Sequence, residues 1–297
     1  MRELHRRRHC RARARAVLSF AACMLAACTD QPKPDCVTST AAFAMKLLEQ
    51  SREQSAPGAC DAFGLDAFNQ DPEVGIVPYF ARGDRGQPDA KRGSLAIQTA
   101  ELGLLYDTAL ARGEDNLASD GASYSLGNFV SGEPDRSELC YVPELSPTRL
   151  LLPELPSTPD DPSTPEADES APGQPAVDAT LEWSNVQVYV TAEILGTQVA
   201  ADLLDTRRSP DGQTCSVQYR ALALAPAIPC ALLDPETGAP VRNDDGSPQL
   251  DPAACEPEAD PSNGRPVGSG ISPRAAFVCD PSSAFCVLDG ESVPALR

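Results

Sequence analysis

The stretch Ala179–Ala192, reading ATLEWSNVQVYVTA, decides how the rest of the chain is read. Leu181, Trp183, Asn185, Gln187, Tyr189 and Thr191 alternate with Thr180, Glu182, Val186, Val188 and Val190. A period of two belongs to a β-strand, whose successive side chains point to opposite faces. It places Val186, Val188, Val190 and Ala192 on one face and Trp183 and Tyr189 on the other. Gly196-Thr197 then breaks the pattern, and Gln198–Asp205 follows as a second extended run. Pro210-Asp211-Gly212 is a turn signal, because proline presets one dihedral and glycine accepts a positive one. Ser216–Leu224 gives a third run, so the expectation is an antiparallel three-stranded meander. Val199–Leu204 also fits a short helix.

Working toward the N-terminus, the signals weaken. Ala41–Gln50 carries Phe43, Met45 and Leu47 at strand spacing, yet Phe43 and Leu47 also suit a helix, and its residues are good helix formers. Ser94–Ala100 reads as a strand, and so does Tyr124–Val130. Glu101–Arg112 reads as a helix, with Leu102, Leu105, Tyr106 and Ala109 on one stripe and Gly113 as its stop. Toward the C-terminus, beyond Ala225, turn signals dominate: Asp234-Pro235, Asp251-Pro252, Asp260-Pro261 and Asp280-Pro281 recur with little apolar sequence between them. Phe277–Cys279 and Phe285–Leu288 are candidates for a closing hairpin. The expected fold class is mainly β, an antiparallel sheet or barrel-like arrangement with minor helix, with α+β as the variant, stabilised by disulfides.

Pro153, Pro156, Pro159, Pro162 and Pro165 recur every third residue, which is the repeat of polyproline II. Glu154, Asp160, Asp161, Glu166, Asp168 and Glu169 repel one another and favour extension. Segment 153–176 is therefore an acidic proline-rich linker or an insertion between two strands of one domain. It divides an N-terminal half (36–152) from the meander (177–229) and from a turn-rich, disulfide-bonded C-terminal region (230–297).

Residues 2–15 contain seven arginines, and Ala16–Ala27 contains no charge. A basic segment before a short apolar run is the pattern of an export signal. The run is also shorter than the ~20 residues that span a bilayer. It ends in Leu25-Ala26-Ala27-Cys28, which resembles the lipobox of bacterial lipoproteins at all four positions. The resemblance implies cleavage between Ala27 and Cys28, removal of residues 1–27, and a lipidated Cys28 on a short tether (28–35). It also implies the outer membrane rather than the inner one, because Thr29 is not aspartate. Seven residues separate Cys28 from Cys36, a reach of at most ~25 Å.

Cleavage would remove seven of the 24 basic residues and one of the 43 acidic ones, leaving 17 against 42, a net charge of −25. Such a body repels nucleic acid, which is not expected as a partner. Both histidines, His5 and His9, would leave with the signal. Catalysis by a Ser-His-Asp or Cys-His pair and imidazole metal ligation are thereby excluded from the mature chain. No phosphate loop, nucleophile elbow or Cys-x-x-Cys is present, and no cofactor or metal site is expected. Arg82-Gly83-Asp84 and Asn243–Gly246 are read as turns rather than as an adhesion motif or a calcium loop.

Eight cysteines remain beyond Cys28: Cys36, Cys60, Cys140, Cys215, Cys230, Cys255, Cys279 and Cys286. An even number in an exported chain reads as four disulfides, with on the order of 100 pairings open. Sequence-local closure would pair Cys36 with Cys60, Cys215 with Cys230 and Cys279 with Cys286, leaving Cys140 for Cys255. The expected function is that of a lipid-anchored envelope protein with a non-enzymatic structural or binding role, attached to the membrane and open to an envelope protein partner. The alternatives are a small-ligand site lined by Trp183 and Tyr189, and a carboxylate-dependent hydrolase.

Overall fold

The computed structural model describes residues 34–63, 72–111, 123–154 and 176–297. The proposed cleavage and lipidation positions, Ala27 and Cys28, and the proline register from Pro156 to Pro165 lie outside the described residues.

The chain forms β1 (Phe43–Gln54), β2 (Glu73–Arg82), β3 (Pro88–Thr99), helix α1 (Ala100–Ala111), β4 (Ser125–Asn128), β5 (Leu139–Glu144) and β6 (Thr148–Leu152). β7 (Val177–Val190), β8 (Leu195–Arg208) and β9 (Thr214–Leu224) follow, and β10 (Phe277–Cys279) and β11 (Cys286–Leu288) close the chain. The first nine strands build one antiparallel sheet in the order β4-β3-β2-β1-β9-β8-β7-β5, with β6 also paired to β7. β10 and β11 pair separately as a hairpin. Pro34–Arg297 forms one unit.

The mainly antiparallel fold follows from the alternation of apolar residues, but the detail of Ala179–Ala192 does not. Around Asn185 (φ 50°) the β7–β8 register shifts between Ser184 and Gln187. An extra residue in one strand reverses the alternation beyond it. Leu181 and Trp183 before the bulge and Val186, Val188 and Val190 after it therefore enter the same core. This corrects the expectation that Trp183 and the valines face opposite ways. Tyr189 does lie on the other face, in a second cluster.

The segment 41–50, readable as helix or strand, becomes β1. Its residues pair with β9 from Ala44↔Leu224 to Gln54↔Cys215. Burial of Phe43 and Met45 and the long ladder outweigh the helix propensity of its residues. The same ladder logic makes Val199–Leu204 strand rather than helix. The helix expected over Glu101–Arg112 forms as α1, one residue earlier at each end. Thr99 Oγ1 accepts from Leu102 N at 3.4 Å, and Leu102 and Ala109 are buried against the core.

The sheet is strongly rolled yet stays open. Its β4 edge approaches the β5–β6 segment through Ser146 N to Leu126 O (2.8 Å) and Val130 N to Tyr141 O (2.9 Å), without a ladder. Ser125 and Thr148 share a buried hydroxyl–hydroxyl bond of 2.6 Å at this seam. The core inside the roll gathers side chains from β1–β3, α1 and β5–β9, with Phe129 added just beyond β4. The segment 153–176 joins two neighbouring strands of this sheet, since Leu152 pairs with Val177.

The turn-rich C-terminal region covers the outer face of β7–β9. Ile194, Ala200, Leu222 and Leu224 pack there against Ile271, Phe277, Leu288 and Val293. Gln198 is fully buried at this contact. Its Nε2 donates to Ala295 O (3.1 Å), and Ala295 N donates to its Oε1 (2.8 Å). The Asp-Pro and Asp-Gly turns are held by the aspartates themselves. Asp234 accepts from Glu236 N and Thr237 N at 2.9 and 2.8 Å, and Asp245 accepts from Ser247 N at 2.9 Å.

Four disulfides are present, but none of the sequence-local pairings is correct. The bonds are Cys36–Cys140, Cys60–Cys215, Cys230–Cys279 and Cys255–Cys286. Sheet topology explains the two longest spans, of 104 and 155 residues. The end of β1 lies beside the start of β9 (Gln54↔Cys215), so Cys60, just beyond β1, meets Cys215. Cys36 runs beside β5, bonded through its N–H to Gly132 O at 2.9 Å. The N-terminal segment then crosses the β7–β8 turn, where Ser39 N donates to Gly196 O. A Cβ on Gly196 (φ 66°) would lie 2.1 Å from Val37 O, so only glycine fits that crossing.

Candidate functional site

All eight paired cysteines are buried. The sulfur atoms of Cys230, Cys255 and Cys279 lie within 4.8 Å of one another, but each is in a disulfide and offers no thiolate to a metal. The two bonds instead clamp the C-terminal region at its centre.

The chemistry inside the roll is ionic and was not legible in the sequence. On β8 the inward positions run Leu203, Asp205, Arg207, all buried. Arg207 Nε and Nη2 donate to Asp205 at 3.1 and 3.0 Å. Its Nη1 and Nη2 also donate to Glu101 Oε1 and Oε2, both at 2.9 Å. Glu101 comes from the first turn of α1, so one guanidinium ties the helix to the sheet. Burial pushes the Asp205 carboxyl up, against the lowering effect of Arg207. Burial pulls Arg207 down, but its bonds to Glu101 and the charge of Asp205 outweigh that and hold it firmly protonated. The signal in sequence is an opposite-charge pair two residues apart on an otherwise apolar strand face. Beside this cluster, burial and the charge of Asp205 push the Tyr219 hydroxyl up to about 12.

This cluster is organised for cohesion. Glu101 and Asp205 spend their oxygens on one cation, and a general acid or base needs an unspent position facing substrate. A second group of acids, Glu144, Glu182 and Asp202, lines an outer groove of about 480 Å³. Asp202 there already accepts from Asn185 Nδ2 (2.7 Å) and from Arg220 Nη1 (2.9 Å).

Among the described residues, the centre of the roll is filled. The cavity among Met45, Ile76, Ile97, Trp183 and Ala221 measures about 10 Å³, the size of a single water at most. Trp183 packs in this core and also lines the groove beside Glu182 and Asp202, whereas Tyr189 belongs to the second cluster. Tyr189 lies on the opposite face, where its hydroxyl donates to Glu138 Oε2 at 2.9 Å. Two further shallow grooves lie at the surface. One of about 440 Å³ sits where segment 153–176 leaves the sheet, between Leu151 and Pro210. The other, of about 580 Å³, lies in the C-terminal region between Leu233, Pro248 and Phe285.

Arg82-Gly83-Asp84 opens the β2–β3 turn, closed by Gly83 N to Gln87 O at 2.8 Å and Gly86 N to Gly83 O at 2.9 Å. Asn243–Gly246 is likewise a turn, with Asp245 committed to Ser247. No helix among the described residues is long and apolar enough to cross a membrane.

A protein-family model described as MlpA matches residues 48–226, more than half of the chain. The match runs from within β1 to just past β9, so it spans the rolled sheet and stops before the C-terminal region. No curated protein and no solved structure matches.

Proposed function

The chain belongs to the MlpA family, a lipoprotein family, and from that premise we propose that it is an extracytoplasmic protein anchored by lipid on Cys28 to the bacterial envelope. Its role there is structural or binding rather than catalytic, and its membrane is the outer one. The observation that carries the non-catalytic reading is the filled roll: apolar side chains and a closed ionic cluster occupy the interior where a barrel would hold a ligand or an active site. Four buried disulfides suit an oxidising compartment. A histidine-free mature chain removes the commonest general base.

Intact-mass measurement of the membrane-extracted protein tests the anchor. The expected mass is that of residues 28–297 with four disulfides plus the acyl groups. A Cys28→Ser variant is expected in the soluble fraction. An uncleaved N-terminus, or a Cys28→Ser protein that resists washing from envelopes, would defeat the reading.

A further inference from the structure

The cations of this acidic protein are unevenly placed. Arg82, Arg85, Lys91 and Arg92, four of the 17 beyond residue 27, fall within the β2–β3 hairpin and are exposed. Asp84 and Asp89 are the only acids between them, so the hairpin is locally positive. Arg92 is held by Asp89 at 2.8 Å. Arg82, Arg85 and Lys91 have no ion pair among the described residues.

This hairpin lies beside the point where the chain enters the fold. Cys36 is pinned by its disulfide to Cys140 and by its bond to Gly132 O. Gly132 in turn packs on the hairpin backbone: a Cβ there would come within 2.8 Å of Ala90 O and 2.9 Å of Lys91 N. Cys36 and Lys91 therefore both lie against Gly132. The neighbouring outer positions are apolar and exposed, Tyr79 at 56% and Val130 at 68%.

We propose that the β2–β3 hairpin is the face this protein turns to its own membrane, with Arg82, Arg85 and Lys91 against anionic lipid headgroups. The proposal rests on the lipid anchor at Cys28. From there the chain reaches Cys36 within ~25 Å, so the entry point stays near the bilayer. Lys and Arg are attracted to an anionic surface within about a Debye length, ~10 Å at 0.1 M salt. Tyr79 and Val130 offer the mixed apolar edge that suits the headgroup level. The rest of the body, strongly acidic, is repelled by the same surface and turns outward. Asp35 and Glu133, exposed beside the entry point, are repelled by the same surface, so the attraction comes from the hairpin cations alone.

The chain beyond residue 27 contains three lysines, Lys33, Lys46 and Lys91, and these supply the readout. The full lipidated protein is placed on vesicles of phosphatidylcholine alone or mixed with phosphatidylglycerol, and its amines are acylated by a water-soluble reagent. Lys46, on β1 and within 3.4 Å of Gly290 O, serves as the internal reference. Lys91 is expected to react at least ~5-fold more slowly on the anionic vesicles, with Lys46 unchanged. Salt at about 0.5 M is expected to erase the difference, and Arg85→Glu to reduce it. Protein that floats with both vesicles yet shows equal Lys91 reaction overturns the proposal and leaves the exposed Arg82–Asp84 turn to a protein partner. Protein that floats with neither overturns the anchor itself.

Discussion

Gln198 shows how a single side chain holds the two layers of the body together. Gln198 satisfies both backbone groups of Ala295 in a buried contact. Gln198→Leu fills similar space but orphans a buried N–H and a buried C=O, and each such group costs about 1–3 kcal/mol. The expected loss is about 2–4 kcal/mol in urea unfolding; a change below about 0.5 kcal/mol, the range of an ordinary surface substitution, would show that the C-terminal region is held elsewhere. Tyr219 carries a pH signature. Its hydroxyl is raised by burial first and then by the charges of Asp205 and Glu49, to about 12. A folded value above the unfolded value of ~10 means that the folded state keeps its proton longer. Stability from this group is whole below pH ~10 and is lost as pH climbs toward about 12. Thermal melts across that window should show the decline, and Tyr219→Phe should flatten it; an unchanged slope in the variant would place the alkaline sensitivity in another group.

Among the elements, the β6–β7 connection is the most open to manipulation. The residues of β6 pair one after another with β7, ending at Leu152↔Val177, so the two strands are neighbours with or without the long segment between them. Lengthening a loop costs little, about 0.6 kcal/mol per doubling. Replacing residues 154–175 with a short glycine-containing turn is therefore expected to leave the melting temperature within a few degrees of the parent. A collapse of cooperative unfolding in that variant would mean that the acidic segment packs on the sheet. The bulge at Asn185 teaches a complementary lesson. It lets β7 present Trp183 and the valines 186, 188 and 190 to one core, which an unbroken strand of the same sequence does not do.

For the molecule as a whole, stability is concentrated in non-local links. Cys60–Cys215 joins the end of the first strand to the start of the ninth, and Cys36–Cys140 fastens the N-terminal segment to β5. Cross-links over such long spans remove the most freedom from the unfolded chain, about 4–5 kcal/mol each in the chain-entropy account. The C-terminal region carries its own two bonds, Cys230–Cys279 and Cys255–Cys286, and docks through a separate apolar cluster. The family match ends where that region begins, so the rolled sheet is the shared part of the molecule and the turn-rich cap lies beyond it.

The alternation at Ala179–Ala192 and the extended runs after it sufficed for an antiparallel sheet, because strand periodicity is a local property of the chain. The cysteine count sufficed for four cross-links, and the segment from Glu101 announced its helix. Partners distant in sequence were another matter. Which sulfur meets which depended on β1 lying against β9, and no local pattern encodes that neighbour. The choice of strand for residues 43–54 depended on the same ladder, which overrode their helix propensity. The face of Trp183 depended on one inserted residue, and the burial of Asp205 and Arg207 on a helix arriving overhead with Glu101. Local preference is written residue by residue; pairing, register and burial exist only once the sheet has rolled and brought distant segments into contact.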